Sequence, residues 1–276
     1  MPRRRYAIRL AYEGHPFRGF QRQPGLPTVQ EALQAALAAC GLDGHIAVAA
    51  RTDAGVHALA QVVSFSSSLA LDPERLRRDL NQSLPPAITC LEARAVDGSF
   101  HARASALSRE YVYLVGTPAP PGLAPYAWSL PDPRAFPEVL RPTLDASAIR
   151  ESLAAAVGEH DFAGFARPGG RRETVRRLLR ADVLVAESEP LVAIVLEGTG
   201  FLRAMVRNLV GTAVTAGLGL APPSALAEAL RSRGRYRGVR APGWGLTLAA
   251  VRYPEALWPA APCAPAGSGR GGAPPA

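Results

Sequence analysis

The chain has 276 residues, 48% of them apolar, and a formal net charge of +8 carried by 31 basic residues that are all arginine. That length and apolar content suit one large or two moderate globular domains with real cores, not a disordered chain. Without lysine there is no Schiff-base lysine and no P-loop lysine, while the excess of planar, permanently charged guanidiniums points to an anionic partner, nucleic acid first.

MPRRRYAIRL is basic and moves straight into alternation, so it reads as a strand over 5–11 and not as a secretory leader. The loop EGHPFRGFQRQPGLPT follows, carrying Arg18 and Arg22. Val29, Leu33, Leu37 and Cys40 then recur at helical spacing behind a capping Thr28, which predicts a helix over 29–41. Strands are predicted over 46–50 and 61–66, on either side of the polar run Arg51-Thr52-Asp53-Ala54-Gly55-Val56-His57. Asp72, with Pro73 behind it, opens a second helix, DPERLRRDLNQSL. AITCLEARAV and SREYVYLVG read as two more strands. The order β-α-β-β-α-β plus one strand is that of an α+β fold, with helices on one face of an antiparallel sheet.

The proline-rich stretch over 117–145 is the natural boundary, giving halves at 1–118 and 145–256 with a connection over 119–144. Asp145 or Ser147 opens a helix marked by Ile149, Leu153 and Val157. GEHDFAGFARPGGRRETVRR reads as a polar loop, and ADVLVA with PLVAIVLEG as a hairpin. A helix is predicted from 201 to about 216, with Phe201, Met205 and Leu209 along one side. PSALAEALRSR reads as a short helix and LTLAAVRYP as a closing strand. Residues 257–276 are low in complexity and read as a disordered tail. Cys40, Cys90 and Cys263 are odd in number and far apart, which supports neither a zinc site nor a disulfide framework. The uncharged stretches 113–131 and 208–227 are broken by proline and glycine, so no membrane span is predicted and a cytoplasmic location is expected.

Three features could carry chemistry. Asp53-Ala-Gly is a natural turn, because Asp bonds nearby main chain. Arg51, two residues away, would share a face with Asp53 on an extended chain, either as a plain salt bridge or as the partner of a working carboxylate. Arg203 and Arg207 fall four apart in FLRAMVRN, as a solvated edge or as groups reaching phosphate or a carboxylate. Tyr111 and Tyr113 point to one side of a strand, for packing or for stacking on a base. His57 adds a polar group, although a single histidine is more often structural. These residues describe a basic α+β protein with an Asp–Arg site; they do not name a reaction.

The chain resembles the tRNA pseudouridine synthase A family from about Arg5 to Pro254. The family's Gly-Arg-Thr-Asp-Ala-Gly-Val-His run is reproduced from Arg51 to His57, with Ala50 in place of the first glycine. GFQRQPGLPTVQEAL is similar to its Gly-Trp-Gln-Arg-Gln segment, with Phe20 for tryptophan. FHARASALSREYVY, FLRAMVRNLVG and GLTLAAVRYP resemble three further blocks in the right order.

The resemblance implies a pseudouridine synthase fold: two similar halves whose mixed, mostly antiparallel sheets pack with helices, and a cleft between them. It implies isomerisation of uridine to pseudouridine at positions 38 to 40, in the anticodon arm of tRNA. Asp53 would be the catalytic carboxylate and Tyr111 the base-stacking ring. Arg207 would stand beside the carboxylate, Arg51 would hold the flipped nucleotide or its vacated space, and Leu246 would wall the pocket. The family needs neither cofactor nor metal and acts as a homodimer on tRNA. Arg18, Arg22, Arg171, Arg172, Arg176, Arg177 and the cluster over 232–240 suit contacts to the RNA backbone. Two other readings stay open at this point: a non-catalytic RNA-binding module, and a hydrolase that also cleaves the glycosidic C–N bond.

Overall fold

A computed structural model describes residues 3–140, 142–167, 173–232 and 238–258. Arg171, Arg172, Cys263, most of the cluster over 232–240 and nearly all of the tail lie outside those residues.

The first half follows the predicted order: β1 (Arg4–Tyr12), α1 (Val29–Ala39), β2 (Ala47–Val48), β3 (His57–Ser67), α2 (Pro73–Ser83), β4 (Ile88–Val96) and β5 (Ser108–Gly116). Both helix starts are capped as expected. The Thr28 hydroxyl accepts from the Glu31 N–H at 3.4 Å, and Asp72 accepts from the Arg75 N–H at 2.6 Å. β2 shrinks to two residues, while β3 begins earlier than its alternation indicates, inside the polar run at His57.

Beyond it come β6 (Trp128–Ser129), α3 (Ala146–Ala154), β7 (Gly158–Asp161), β8 (Val175–Val185), β9 (Leu191–Gly198), α4 (Met205–Gly217), α5 (Ala225–Ser232) and β10 (Leu246–Arg252). Two expectations are corrected. GEHDFAGFARPGGRRETVRR is not all loop: β7 pairs with the start of β8, from Gly158 opposite Leu178 to Asp161 opposite Val175. Its charged side chains conceal the strands, because edge pairing runs through main-chain groups and needs no apolar alternation. The helix expected from residue 201 starts at Met205, because Ala204 adopts a φ of 65°, a left-handed conformation that stops a right-handed helix.

Among the described residues ten strands join in one sheet, ordered β4-β1-β3-β10-β5-β9-β8-β7, with β2 beside β3 and β6 beside β5. Of the described strand pairs only β3–β10 and β5–β6 are parallel, so the fold is α+β with a mixed, mostly antiparallel sheet. The last strand in sequence, β10, thus occupies the middle of the sheet. Alternation along β1 sorts the core. Tyr6, Ile8 and Leu10 face Leu33 and Leu37 of α1 and Leu76 and Leu80 of α2, while Ala7 faces a smaller cluster with Phe100 and Ala102. α3 packs on β8 and α4. Among the described residues no helix is long and apolar enough to cross a membrane.

Candidate active site

Asp53 sits in the turn between β2 and β3, where its carbonyl accepts from the Val56 N–H at 3.2 Å. Gly55 takes a φ of 77°, which glycine adopts without a steric penalty. The turn is pressed against the segment leading into β10; a Cβ on Gly243 would collide with the Ala54 carbonyl. This contact sets the Asp53 turn at the mouth of the parallel pair, where Thr247 lies in register with His57.

A buried polar network fixes the chain just before Asp53. The Ala50 N–H donates to Gln61 Oε1 at 3.2 Å, and Gln61 Nε2 donates to the Ala50 carbonyl at 2.7 Å and the Tyr12 hydroxyl at 3.3 Å. Tyr12 and Thr52 share a hydroxyl–hydroxyl bond of 2.8 Å. An unpaired amide at Gln61 would cost about 1–3 kcal/mol, so the network holds residues 50–52 in one geometry. The sequence reading missed Gln61 and Tyr12; their one signal was an amide inside the apolar run QVVSF. Among the described residues Ala204 is the only non-glycine with positive φ. Ala50 therefore has ordinary backbone, and alanine fits where the resembling motif has glycine. Phe20 is buried, leans on Tyr12 at 6.4 Å and donates its N–H to the Thr52 carbonyl at 3.0 Å, so it fills the tryptophan's place as a support.

Asp53 meets two arginines. Arg207 Nη1 donates to Asp53 Oδ2 at 3.3 Å, and Arg203 Nε lies 3.8 Å from Oδ1. Arg207 is held at its other end, with Nε donating to the Ala241 carbonyl at 2.7 Å while the Ala241 N–H donates back to the Arg207 carbonyl at 3.1 Å. The Arg207 side chain is 18% exposed against 63% for Arg203, so solvent screens the Arg203 pair far more. The two arginines converge although Arg203 precedes the helix. Arg51 does not join them. It is exposed and makes no hydrogen bond or ion pair among the described residues, because residues 51–53 are not an extended strand and the period-two argument fails there.

Tyr111 lies on β5 opposite Leu248 of β10, 7% exposed, with Phe201 edge-on at 5.3 Å. Burial, with Tyr12 next, holds its phenol well above the usual tyrosine range, so it stays neutral. Tyr113 is fully buried and donates to the Pro242 carbonyl at 3.0 Å, propping the same segment that carries Ala241 and Gly243. Leu246 stands opposite Tyr113 and is buried. His57 is a support: its Nδ1 accepts from the Gly14 N–H at 3.1 Å, and its ring meets His15 at 4.8 Å and Tyr126 at 5.0 Å. Burial, reinforced by His15, pushes its pKa down to about 4.

The arrangement sets one carboxylate against two cations, near a neutral aromatic ring. Among the described residues no three His, Cys, Asp or Glu side chains gather as a metal site.

A family model described as tRNA pseudouridine synthase matches residues 9–103 and 153–254. A protein of Methylacidiphilum infernorum named tRNA pseudouridine synthase A is 38% identical over 257 residues, covering 90% of this chain and 95% of its own. One of the same name from Bordetella petrii is 39% identical over 259 residues, covering 91% of each chain. Another, from Chlamydia trachomatis, is 35% identical over 257 residues, covering 91% of this chain and 92% of its own.

Proposed function

The chain belongs to the tRNA pseudouridine synthase family and isomerises uridine to pseudouridine in tRNA; from that premise we infer that Asp53 carries the reaction. The observation behind the assignment is the pairing of Asp53 with Arg207 at 3.3 Å, on a turn that buried contacts hold from three sides.

In the reaction the bond between ribose C1′ and uracil N1 breaks, the base turns, and a bond forms from C1′ to C5. The C5 hydrogen leaves as a proton and N1 gains one; no water is consumed and nothing is oxidised. The base must first leave its stack, at a cost of a few kilocalories per mole. Stacking on Tyr111, worth about 1–3 kcal/mol, offsets part of that. Asp53 supplies the ionised oxygen, by adding to the ribose or base or by removing a ribose proton. Arg207 matches its charge from a fixed position. Leu246 closes the pocket on the detached uracil while it rotates. Arg51, exposed and unpaired among the described residues, is available to hold the flipped nucleotide or to fill its place.

The proposed targets are uridines 38, 39 and 40 of the anticodon arm, with the protein acting in the cytoplasm as a homodimer. Past its pairing with β7, β8 exposes Leu184 and Val185, at 59% and 56%, which favours assembly there; sedimentation at micromolar concentration measures it. Arg18, Arg22 and Arg177 are exposed and Arg176 is partly so, which suits backbone contacts to RNA.

The test is incubation with tRNA tritiated at uridine C5. Tritium release without free uracil, mapped to positions 38 to 40, is the expected result. Free uracil would make the protein a hydrolase, and neither product would leave a binding module.

A further inference from the structure

Arg109 of β5 is 7% exposed, yet among the described residues it has no carboxylate partner. Its guanidinium instead spends every N–H on main-chain carbonyls. Nε and Nη2 donate to Ala49 at 3.3 and 3.1 Å, Nη1 to Thr199 at 2.9 Å and Ala106 at 3.2 Å, and Nη2 also to Arg103 at 2.7 Å. Burying a cation with no counter-charge is costly, and an apolar side chain would satisfy packing alone. Burial duly lowers the Arg109 pKa from its ordinary value.

Two of the four carbonyls, Ala49 and Thr199, belong to segments that supply the site, while Arg103 and Ala106 lie in the loop that leads into β5. Ala49 lies four residues before Asp53. Thr199 begins the run to Phe201, which meets Tyr111 edge-on, and to Arg203, which faces Asp53. Arg109 itself lies two residues from Tyr111 on the same strand. One rigid fork thus spans the carboxylate's loop, the stacking ring's strand and the segment bearing the second arginine.

We propose that Arg109 is a positioning residue for the isomerisation, setting the spacing between Asp53, Tyr111 and the Phe201–Arg203 segment through its three bonds to Ala49 and Thr199. The proposal rests on the reading of Asp53 as the catalytic carboxylate. Lysine keeps the charge but offers three donors from one atom, so it cannot span four carbonyls. A misplacement of about 1 Å costs on the order of 100-fold in rate.

The test compares Arg109→Lys with Arg5→Lys. Arg5 also bonds the loop around residue 100, donating to the Phe100 carbonyl at 2.8 Å and to Ser66 and Ser64, but touches none of the site. Single-turnover rates with saturating enzyme and tRNA affinities are measured below the onset of each variant's circular-dichroism melt. The expected result is a rate tenfold or more slower for Arg109→Lys, affinity within twofold of the parent, and Arg5→Lys within twofold in both. A rate within twofold for Arg109→Lys, an equal loss in Arg5→Lys, or a change in affinity that accounts for the loss overturns the proposal. So does failure of both Arg109→Lys and Arg109→Gln to fold, which would make Arg109 a residue of the fold alone. Asp53→Asn, run alongside, separates the two ideas: turnover by that variant overturns the underlying reading whatever Arg109→Lys does.

Discussion

Tyr111 shows how one side chain can be both core and tool. Its ring is nearly buried against Phe201, so it adds to packing as well as to the base stacking proposed for it. Tyr111→Phe keeps that face and loses a hydroxyl that makes no hydrogen bond among the described residues. Its turnover is expected within about threefold of the parent, whereas Tyr111→Ala loses a stacking contribution of about 1–3 kcal/mol, roughly 5- to 150-fold. Steady-state kinetics on tRNA checks both, and equal losses would place the importance in the hydroxyl. His57 gives a pH signature. Its folded pKa, about 4, lies below the unfolded value near 6.5, so the unfolded chain binds the extra proton between those limits. The His57 contribution is intact above pH 6.5 and declines as pH falls toward 4, by about 3 kcal/mol in all. Urea unfolding of the parent and His57→Asn across that window isolates it; parallel curves would assign the acid sensitivity elsewhere. At this scale the local motif showed Asp53 as a turn residue beside an arginine, and the catalytic role came only from the resemblance. The Arg207 partner lies 154 residues away, a contact only the folded sheet can make; the sequence offered Arg203 and Arg207 only as a pair that could be a solvated edge or could reach phosphate or a carboxylate. Gln61 and Tyr12 stayed hidden because their role exists only once β1 and β3 pair.

At the scale of elements, capping and periodicity read well where the signal is local. Thr28, Asp72 and Asp145 each cap the helix expected of them. Thr28→Ala removes one partly buried bond from the Glu31 N–H and is expected to cost about 1 kcal/mol of stability while leaving turnover per folded molecule unchanged. Chemical denaturation with parallel kinetics measures both, and an unchanged unfolding midpoint would show that the cap is dispensable. What failed was governed by backbone geometry or distant pairing. No residue type announces the left-handed Ala204 that delays α4, and nothing apolar marks β7 as an edge strand. The delay has a consequence for the site. Arg203 approaches Asp53 from a non-helical segment, so the i,i+4 argument reached the right pair of residues by the wrong geometry.

At the scale of the whole molecule, the α+β class was legible from element order, while the central place of β10 was not. A closing strand that returns between β3 and β5 brings the segment before it against the Asp53 turn, with Gly243 at the Ala54 carbonyl, and such long-range insertion leaves no local trace. Net charge acts at this scale too. With +8 on the chain, all of it from permanently ionised guanidiniums, tRNA affinity is expected to fall steeply and linearly in log–log form as salt rises, through counterion release. Binding titrations between 50 and 200 mM salt, about a 10³-fold span for six phosphate contacts, decide it; a flat response would remove electrostatics as the main source of affinity. The central claim is that Asp53 performs the chemistry while the rest of the surface holds the RNA. Asp53→Ala, assayed for tritium release from C5-labelled tRNA and for tRNA binding on the same preparation, tests it most directly. No detectable release, with affinity within about threefold of the parent, is expected; continued release from the bound tRNA would show that another group performs the chemistry.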